Sequence, residues 1–499
     1  MKSSTRNALI LLSFTLLALL LYFPVLNNAF LSDDYDSLYR ILVEKRVIYK
    51  EYLRPLTDVA FYFNYLLSGL NPASYYWFNI AVHVLSSFMV YKIALQYKMY
   101  PERQQIRFAV ISGLLFLLYP FHSEPIFWLT ARISSLACLA ALMAIYWSLK
   151  YDNSWFYVYV GLVCFIVGLL GYESIIILPV IILVLNWYST ASKKELLKVF
   201  VMWMAVAFLF IIARHFISGN IINHYNERMW KTDTIREYVF RVLKTVMRLF
   251  VAPQESERGI ILYSLIAGAM VFVAHLFMLK NTNTGKEQKR KYFYIVLALV
   301  ISMILPMTFG ISTKTSEGDR LLYFPSVFLC MGVTFIVFSL FSNVRLQLSL
   351  IILLLAYFVS PITVSIKTWE SASKSANGLL QVLSAHKTEN IVLLNVPEDI
   401  RGAYVFRNGL KKAITLNGLD TNKINIINYY KGNELDNGNK PYYFKKDNNA
   451  SIYPGLNIAF DLNSITISEQ GTNKIVKLQP TDKIFYWDKI SYQFLKVTR

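Results

Sequence analysis

The chain has 499 residues, of which 55% are hydrophobic and only 16% charged, against about a quarter charged in an ordinary soluble domain. This excludes a soluble globular protein over most of the length. The net charge of +19 would suggest nucleic acid in a soluble protein, but here Lys and Arg gather in short connections between apolar runs, where they set membrane topology. No nucleic-acid partner is expected. The three cysteines, Cys138, Cys164 and Cys330, sit inside apolar segments and supply neither a disulfide framework nor zinc-ligand spacing.

The first apolar run, 8–22, follows Lys2 and Arg6 but continues through Phe30 without a small-residue cleavage site, which reads as a retained helix and not a signal peptide. Runs such as 111–119 and 348–359 carry no charge and, with their flanks, approach the roughly 20 residues that span a bilayer. In chain order, spans are predicted to begin near residues 8, 76, 107, 127, 155, 173, 197, 258, 292, 319 and 346. The Lys/Arg-rich connections 98–107, 192–198 and 281–291 then share one side, cytoplasmic together with the N-terminus. Connections 32–75, 121–131, 171–174, 218–257 and 312–320 face outward, and the odd number of spans puts the tail outside as well. Segments 35–56 and 236–249 mix apolar and charged residues in the pattern of helices lying at the interface.

From about Thr368 the composition shifts to Asn, Lys and Gly, with β-forming runs at 391–395, 424–430, 465–468 and 484–496 and an Asn-rich surface loop at 431–449. The expected architecture is an all-α polytopic membrane bundle of about 11 transmembrane helices over 1–367. A small α+β or β-rich extracytoplasmic domain follows over 368–499. The expected location is the cell (inner) membrane, and no internal repeat is visible.

Several polar constellations fall at the outer ends of these spans. Leu31-Ser-Asp-Asp-Tyr35 puts Asp33 and Asp34 just outside the hydrocarbon, where adjacent carboxylates repel and one needs a proton or a partner; the pair also reads as a helix-ending acidic loop. Arg54-Pro-Leu-Thr57 follows, then Asn79 and His83, four apart on one helix face. Those two could join helices as easily as bind a ligand. Pro120-Phe-His-Ser-Glu-Pro125 brings His122 and Glu124 close in sequence to Arg132. A buried Glu124–Arg132 pair and a phosphate-binding arginine are both open readings there. Glu173 and Asp319-Arg320 add ionisable groups at two further outer helix ends. Charge at such places is costly unless it serves a partner or a substrate. The chemistry that suits carboxylates beside guanidiniums is deprotonation of a hydroxyl with stabilisation of a departing phosphate.

Taken in order, the acidic pair, Arg54-Pro-Leu-Thr57, Asn79/His83, the 120–132 segment, Glu173 with Leu178-Pro179, and Arg320-Leu-Leu-Tyr-Phe-Pro325 resemble the GT-C class of polyprenyl-phosphate-sugar-dependent glycosyltransferases. The nearest likeness is to protein O-mannosyltransferases and the transmembrane tetratricopeptide-repeat mannosyltransferases, without the repeats. The resemblance covers about the first two fifths of the chain well. It implies an inverting transferase with Asp33 or Asp34 as general base, Asp33 being favoured. By the same resemblance Arg132 and Arg320 would hold the carrier phosphate, with Arg54 as a further candidate, while Asn79, His83, His122, Glu124 and Glu173 would support the acceptor side. The position before Glu173, often Lys in those relatives, is Tyr172 here.

The implied partners are a polyprenyl-phosphate-linked sugar, a protein, glycan or lipid-linked saccharide acceptor, and membrane lipid. No cofactor is expected, and no motif gathers the several oxygens a divalent metal needs. The competing reading is a transporter or flippase of lipid-linked glycans, though the matched broken helices typical of transporters are absent from the sequence. A non-catalytic envelope assembly subunit is the third.

Overall fold

The computed structural model describes residues 3–151, 154–187, 192–219, 234–254, 256–280, 285–427, 429–430, 449–453, 456–461, 464–469, 472–479, 481–488 and 491–496. The chain divides into two compact units, one of residues 1–26 and 46–366, the other of residues 27–45 and 367–499.

The first unit is helical. Its early helices are α1 (Ser3–Tyr22), with α2 (Asp34–Leu42) belonging to the other unit, then α3 (Pro55–Ser68), α4 (Pro72–Gln96), α5 (Glu102–Leu117) and α6 (Ser123–Phe127). After these come α7 (Arg132–Leu149), α8 (Trp155–Leu169), α9 (Leu178–Asn186) and α10 (Lys193–Ser218). Further helices cover Ile235–Met247, Glu257–Lys280, Lys286–Ser302, Ile304–Phe309, Pro325–Leu340 and Val344–Ala385. A helix stands at or close to each predicted span. Among the described residues, seven helices are long and apolar enough to cross a membrane, and shorter apolar ones accompany them. The protein is a multi-pass membrane protein.

Proline opens several of these helices, at Pro55, Pro72 and Pro325, where its missing N–H and fixed φ carry no penalty. Large apolar side chains such as Leu12, Leu16 and Leu20 of α1 stand exposed, as expected of helices whose solvent is lipid. Without a hydrophobic drive between helices, contact depends on small residues that let backbones approach. In α7 the buried face includes Ala137, Ala140, Ala141 and Ala144. Gly113 of α5 lets that helix meet both α1 and α4, since a Cβ there would lie 2.9 Å from Phe14 Cε2 and from the Ser87 carbonyl oxygen.

The Val344–Ala385 helix runs through the composition change at Thr368, so the C-terminal part of the second unit opens as helix before its strands, the α+β form of the two expected. The stripe Trp369, Ala372, Ala376, Leu379 and Leu383 is buried at the three- and four-residue spacing of a core-facing helix. Ser375, between them, accepts a hydrogen bond from Trp487 Nε1 at 3.1 Å and donates one to the Tyr492 carbonyl at 3.1 Å. One four-stranded sheet has the order β8 (Gln493–Lys496), β7 (Lys483–Asp488), β1 (Ile391–Leu394), β2 (Ile424–Ile426). β1 is parallel to both neighbours and wholly buried, which explains its uninterrupted Ile-Val-Leu-Leu run. A second sheet is the antiparallel meander of β3 (Asn449–Tyr453), β4 (Leu456–Asp461), β5 (Ser464–Glu469) and β6 (Thr472–Lys477).

One interfacial expectation changes. The helix expected over 35–56 is only α2, and the left-handed backbone at Lys45 and Leu53 marks turns beyond it. Its buried Leu38 and Ile41 belong to a helix that packs on Leu410–Leu416 within the second unit. The Ile235–Met247 helix is amphipathic, as the 236–249 pattern predicts, and is opened by a Thr234/Glu237 capping box; Ile235, Val239 and Leu243 stand exposed along with Arg236, Glu237 and Lys244, while Thr245 is buried. The 431–449 loop expected from sequence lies, but for its last residue, outside the described residues.

Replacing Gly113 by Val should lower the thermal unfolding temperature in detergent, by overpacking worth about 1–3 kcal/mol, whereas Gly268→Ala, where a Cβ meets nothing within 4 Å, should not.

Candidate functional site

Within the helical unit, most charged residues of the segments singled out from the sequence pair with one another. Glu124 is fully enclosed, and its carboxylate accepts hydrogen bonds from the backbone N–H of Gly318 at 3.1 Å, from that of Arg320 at 3.0 Å, and from Arg320 Nη1 at 3.0 Å. Glu124 therefore pairs with Arg320, not with Arg132 as one sequence reading had it. Gly318, at φ 91°, lets the turn present both N–H groups to one carboxylate. The Arg320 guanidinium lies 5.7 Å from the Trp128 ring centroid and keeps 20% of its side chain exposed.

Next in the turn, buried Asp319 receives Ser123 Oγ at 3.3 Å and forms an ion pair with buried Arg248. Arg248 also donates to the Ser312 carbonyl at 2.9 Å and the Val251 carbonyl at 2.7 Å, with its guanidinium 4.6 Å from the Phe121 ring centroid. Burial pushes the Asp319 carboxyl up to about 7; the Arg248 guanidinium opposes that rise and the Glu124 carboxylate adds to it. Two carboxylates and two guanidiniums thus meet around one short loop.

A neutral relay braces this loop from α4. His83 Nε2 lies 3.0 Å from the Leu117 carbonyl, which can only accept, so Nε2 carries the proton and Nδ1 accepts from the Tyr323 hydroxyl at 2.7 Å. Ser326 Oγ donates to the Tyr323 carbonyl at 2.8 Å, which leaves it to accept from His122 Nε2 at 2.8 Å. Burial, reinforced by the nearby His83 ring, holds His122 well below the usual histidine range, so it is neutral. Asn79 donates to the Pro125 carbonyl at 3.3 Å. Asn79 and His83 are therefore fasteners, joining α4 to the 117–127 segment.

The remaining sites lie in other groups. Arg132 is enclosed, donating to Asn64 Oδ1 at 2.6 Å, the Tyr75 carbonyl at 3.2 Å and the Leu129 carbonyl at 3.0 Å, between Phe61 and Phe78. Arg54 grips Glu173 with two hydrogen bonds, at 3.1 and 2.7 Å, and Arg214 joins the same carboxylate at 3.2 Å. The Arg54 guanidinium also stacks 4.8 Å from the Tyr172 ring centroid.

Asp33 and Asp34 belong to the other unit, described separately. Asp33 is half-buried and Asp34 enclosed, with Asp34 Oδ2 accepting from the Leu31 N–H at 2.9 Å. Among the described residues no group of three or more His, Cys, Asp or Glu forms a candidate metal site.

Sequence reasoning missed Arg248 and Arg214. Arg214 had a legible signal, being the first full charge after Lys198 in an otherwise apolar helix. Arg248 had a weaker one, at the end of the amphipathic 236–249 segment.

No family profile matches the chain. A stretch of 118 residues is 34% identical to protein O-mannosyl-transferase TMTC3 of Homo sapiens, covering 23% of this chain and 12% of that protein. A stretch of 91 residues is 30% identical to protein O-mannosyl-transferase Tmtc1 of Drosophila melanogaster, covering 18% of this chain and 10% of that protein. These are partial matches, so the chain covers only a small part of the curated relatives' length. The motif resemblance to O-mannosyltransferases is borne out at that level. Among solved structures, ArnT from Cupriavidus metallidurans bound to undecaprenyl phosphate aligns over 85% of this chain and 90% of that one, with 12% identity and a TM-score of 0.44.

Asp319→Asn should strand the buried Arg248 charge and cost about 3–5 kcal/mol, and joint replacement by Arg248→Met and Asp319→Leu should recover part of that loss. Thermal unfolding in detergent reads both.

Proposed function

We propose that this protein is an integral membrane glycosyltransferase of the GT-C type, moving a sugar from a polyprenyl-phosphate carrier to an acceptor on the non-cytoplasmic face. The observation that carries the reading is the cluster of Glu124, Asp319, Arg248 and Arg320, four ionised-type side chains gathered around one loop of a largely apolar helical unit. Desolvated charge of this kind is retained where it meets charged substrate or transition state. The partial relatedness to named O-mannosyltransferases supports mannose as the first donor sugar to try.

In the proposed reaction a carboxylate, Asp33, takes the proton of an acceptor hydroxyl as its oxygen attacks the anomeric carbon. The bond from that carbon to the phosphate oxygen breaks, the electron pair leaves with the carrier phosphate, and the anomeric centre inverts. Guanidiniums that reach the surface, Arg320 and Arg54, are the proposed phosphate partners, because planar donors match phosphoryl oxygens two at a time. Arg132 joins them only by releasing the acceptors it now holds. Glu124 and Glu173 keep Arg320 and Arg54 oriented.

The test is incubation of the purified protein with polyprenyl-phosphate sugars and an acceptor extract, with detection of released carrier phosphate. Release is expected, with Asp33→Asn abolishing it and Arg320→Gln lowering turnover about 10²- to 10³-fold, the range for losing one charge-stabilising donor. Movement of intact lipid-linked glycan without release would instead identify a flippase. Full envelope function with every outer charge neutralised would identify an assembly subunit.

A further inference from the structure

The acidic loop is built into the second unit by contacts with residues some 370 positions later in the chain. Ser32 N–H donates to the Val405 carbonyl at 2.9 Å, and the Asn408 N–H donates to Ser32 Oγ at 3.2 Å. Ser32 itself stands at φ 48°, a left-handed conformation that a serine holds only when its surroundings determine it. Gly409, at φ 77°, lies so close to the Ser32 carbonyl that any Cβ would collide with it. Lys412 pairs with Asp36 at 3.0 Å, Phe406 stacks on Tyr35 with centroids 6.3 Å apart, and Ser373 Oγ accepts from the Ala29 N–H at 2.7 Å. The 405–412 segment therefore shapes the backbone that carries both aspartates.

One of its side chains goes further. Asn408 Nδ2 donates to Asp33 Oδ1 at 2.8 Å. The same asparagine thus fixes the loop through its backbone and the carboxylate through its amide. Asp34 closes its own turn through Leu31 and is enclosed, so Asn408 treats the two acids differently.

We propose that Asn408 is a positioning residue for Asp33: its amide holds one carboxylate oxygen and so fixes the orientation in which the carboxylate meets the acceptor hydroxyl, making the C-terminal unit an obligate part of the proton-accepting device. This rests on the reading of Asp33 as the general base. A base must lie within hydrogen-bond reach of the proton it removes, and a displacement of about 1 Å costs on the order of 10²-fold in rate. An aspartate on a free loop would sample many such displacements. Clamping by Asn408 removes that freedom without touching the binding of the carrier.

The experiment compares Asn408→Leu, which deletes the amide but keeps the backbone N–H, with Asn408→Gln and Asn408→Asp in the full-length protein, beside Asp33→Asn. Asn408→Leu is expected to lower kcat about ten- to hundredfold, with KM for the polyprenyl-phosphate sugar and the melting temperature unchanged. Asn408→Gln, which retains an amide donor, should recover part of the loss, and Asn408→Asp should not. An inactive Asp33→Asn beside an Asn408→Leu of wild-type kcat overturns the positioning role and leaves the base intact. If Asp33→Asn retains turnover, the base assignment falls and the role of Asn408 with it. Should Asn408→Leu fail to fold, the Gln and Asp variants decide the matter: equal activity in those two overturns the proposal.

Discussion

A carboxylate enclosed among apolar helices is tolerable only when donors surround it, and Glu124 gathers two backbone N–H groups and one guanidinium around its two oxygens. The turn at 318–320 is shaped to supply them. Once that turn is set, Asp319 points the other way, to Ser123 and Arg248, and the Pro325–Leu340 helix starts from a fixed base. On the far side of the same loop, His83 and Asn79 hold the carbonyls of Leu117 and Pro125. Hydrogen bonds in such low-dielectric surroundings are strengthened when satisfied and expensive when broken, so these connecting segments of the helical unit are held as one piece.

The Ile235–Met247 helix joins this charged cluster through its C-terminal end. Arg241 reaches inward to the Thr308 carbonyl and Thr245 is buried, while the N-terminal half of the helix, charged and apolar residues alike, stands exposed. The helix brings Arg248, just beyond its end, to Asp319.

The acidic pair follows a different logic. Its two carboxylates, adjacent in sequence, receive unlike surroundings: Asp34 is folded into its own turn, whereas Asp33 is held by an amide from a distant segment. Repulsion between neighbouring carboxylates is relieved by giving each a separate donor. Positive φ at Ser32 is the local strain that this arrangement sustains.

Hydropathy and charge alone determined the helical bundle, because a span must be about 20 apolar residues whatever its neighbours are, and the proposed spans correspond closely to observed helices. Motif order likewise disclosed the O-mannosyltransferase resemblance and picked out Glu124, Arg320, Arg54 and Glu173 as chemically active types. What the sequence could not disclose was pairing. Glu124 and Arg132 are eight residues apart, yet each finds another partner, since tertiary packing selects partners by direction and distance and not by separation along the chain. Arg248, Arg214 and Asn408 acquire their roles only from helices and loops folded back upon residues 71, 41 and 375 positions away. The continuation of the last long helix to Ala385 was hidden for a related reason: its polar composition past Thr368 reads as a tail, and only the burial of Trp369, Ala372, Ala376 and Leu379 against a protein core makes a helix there the stable choice.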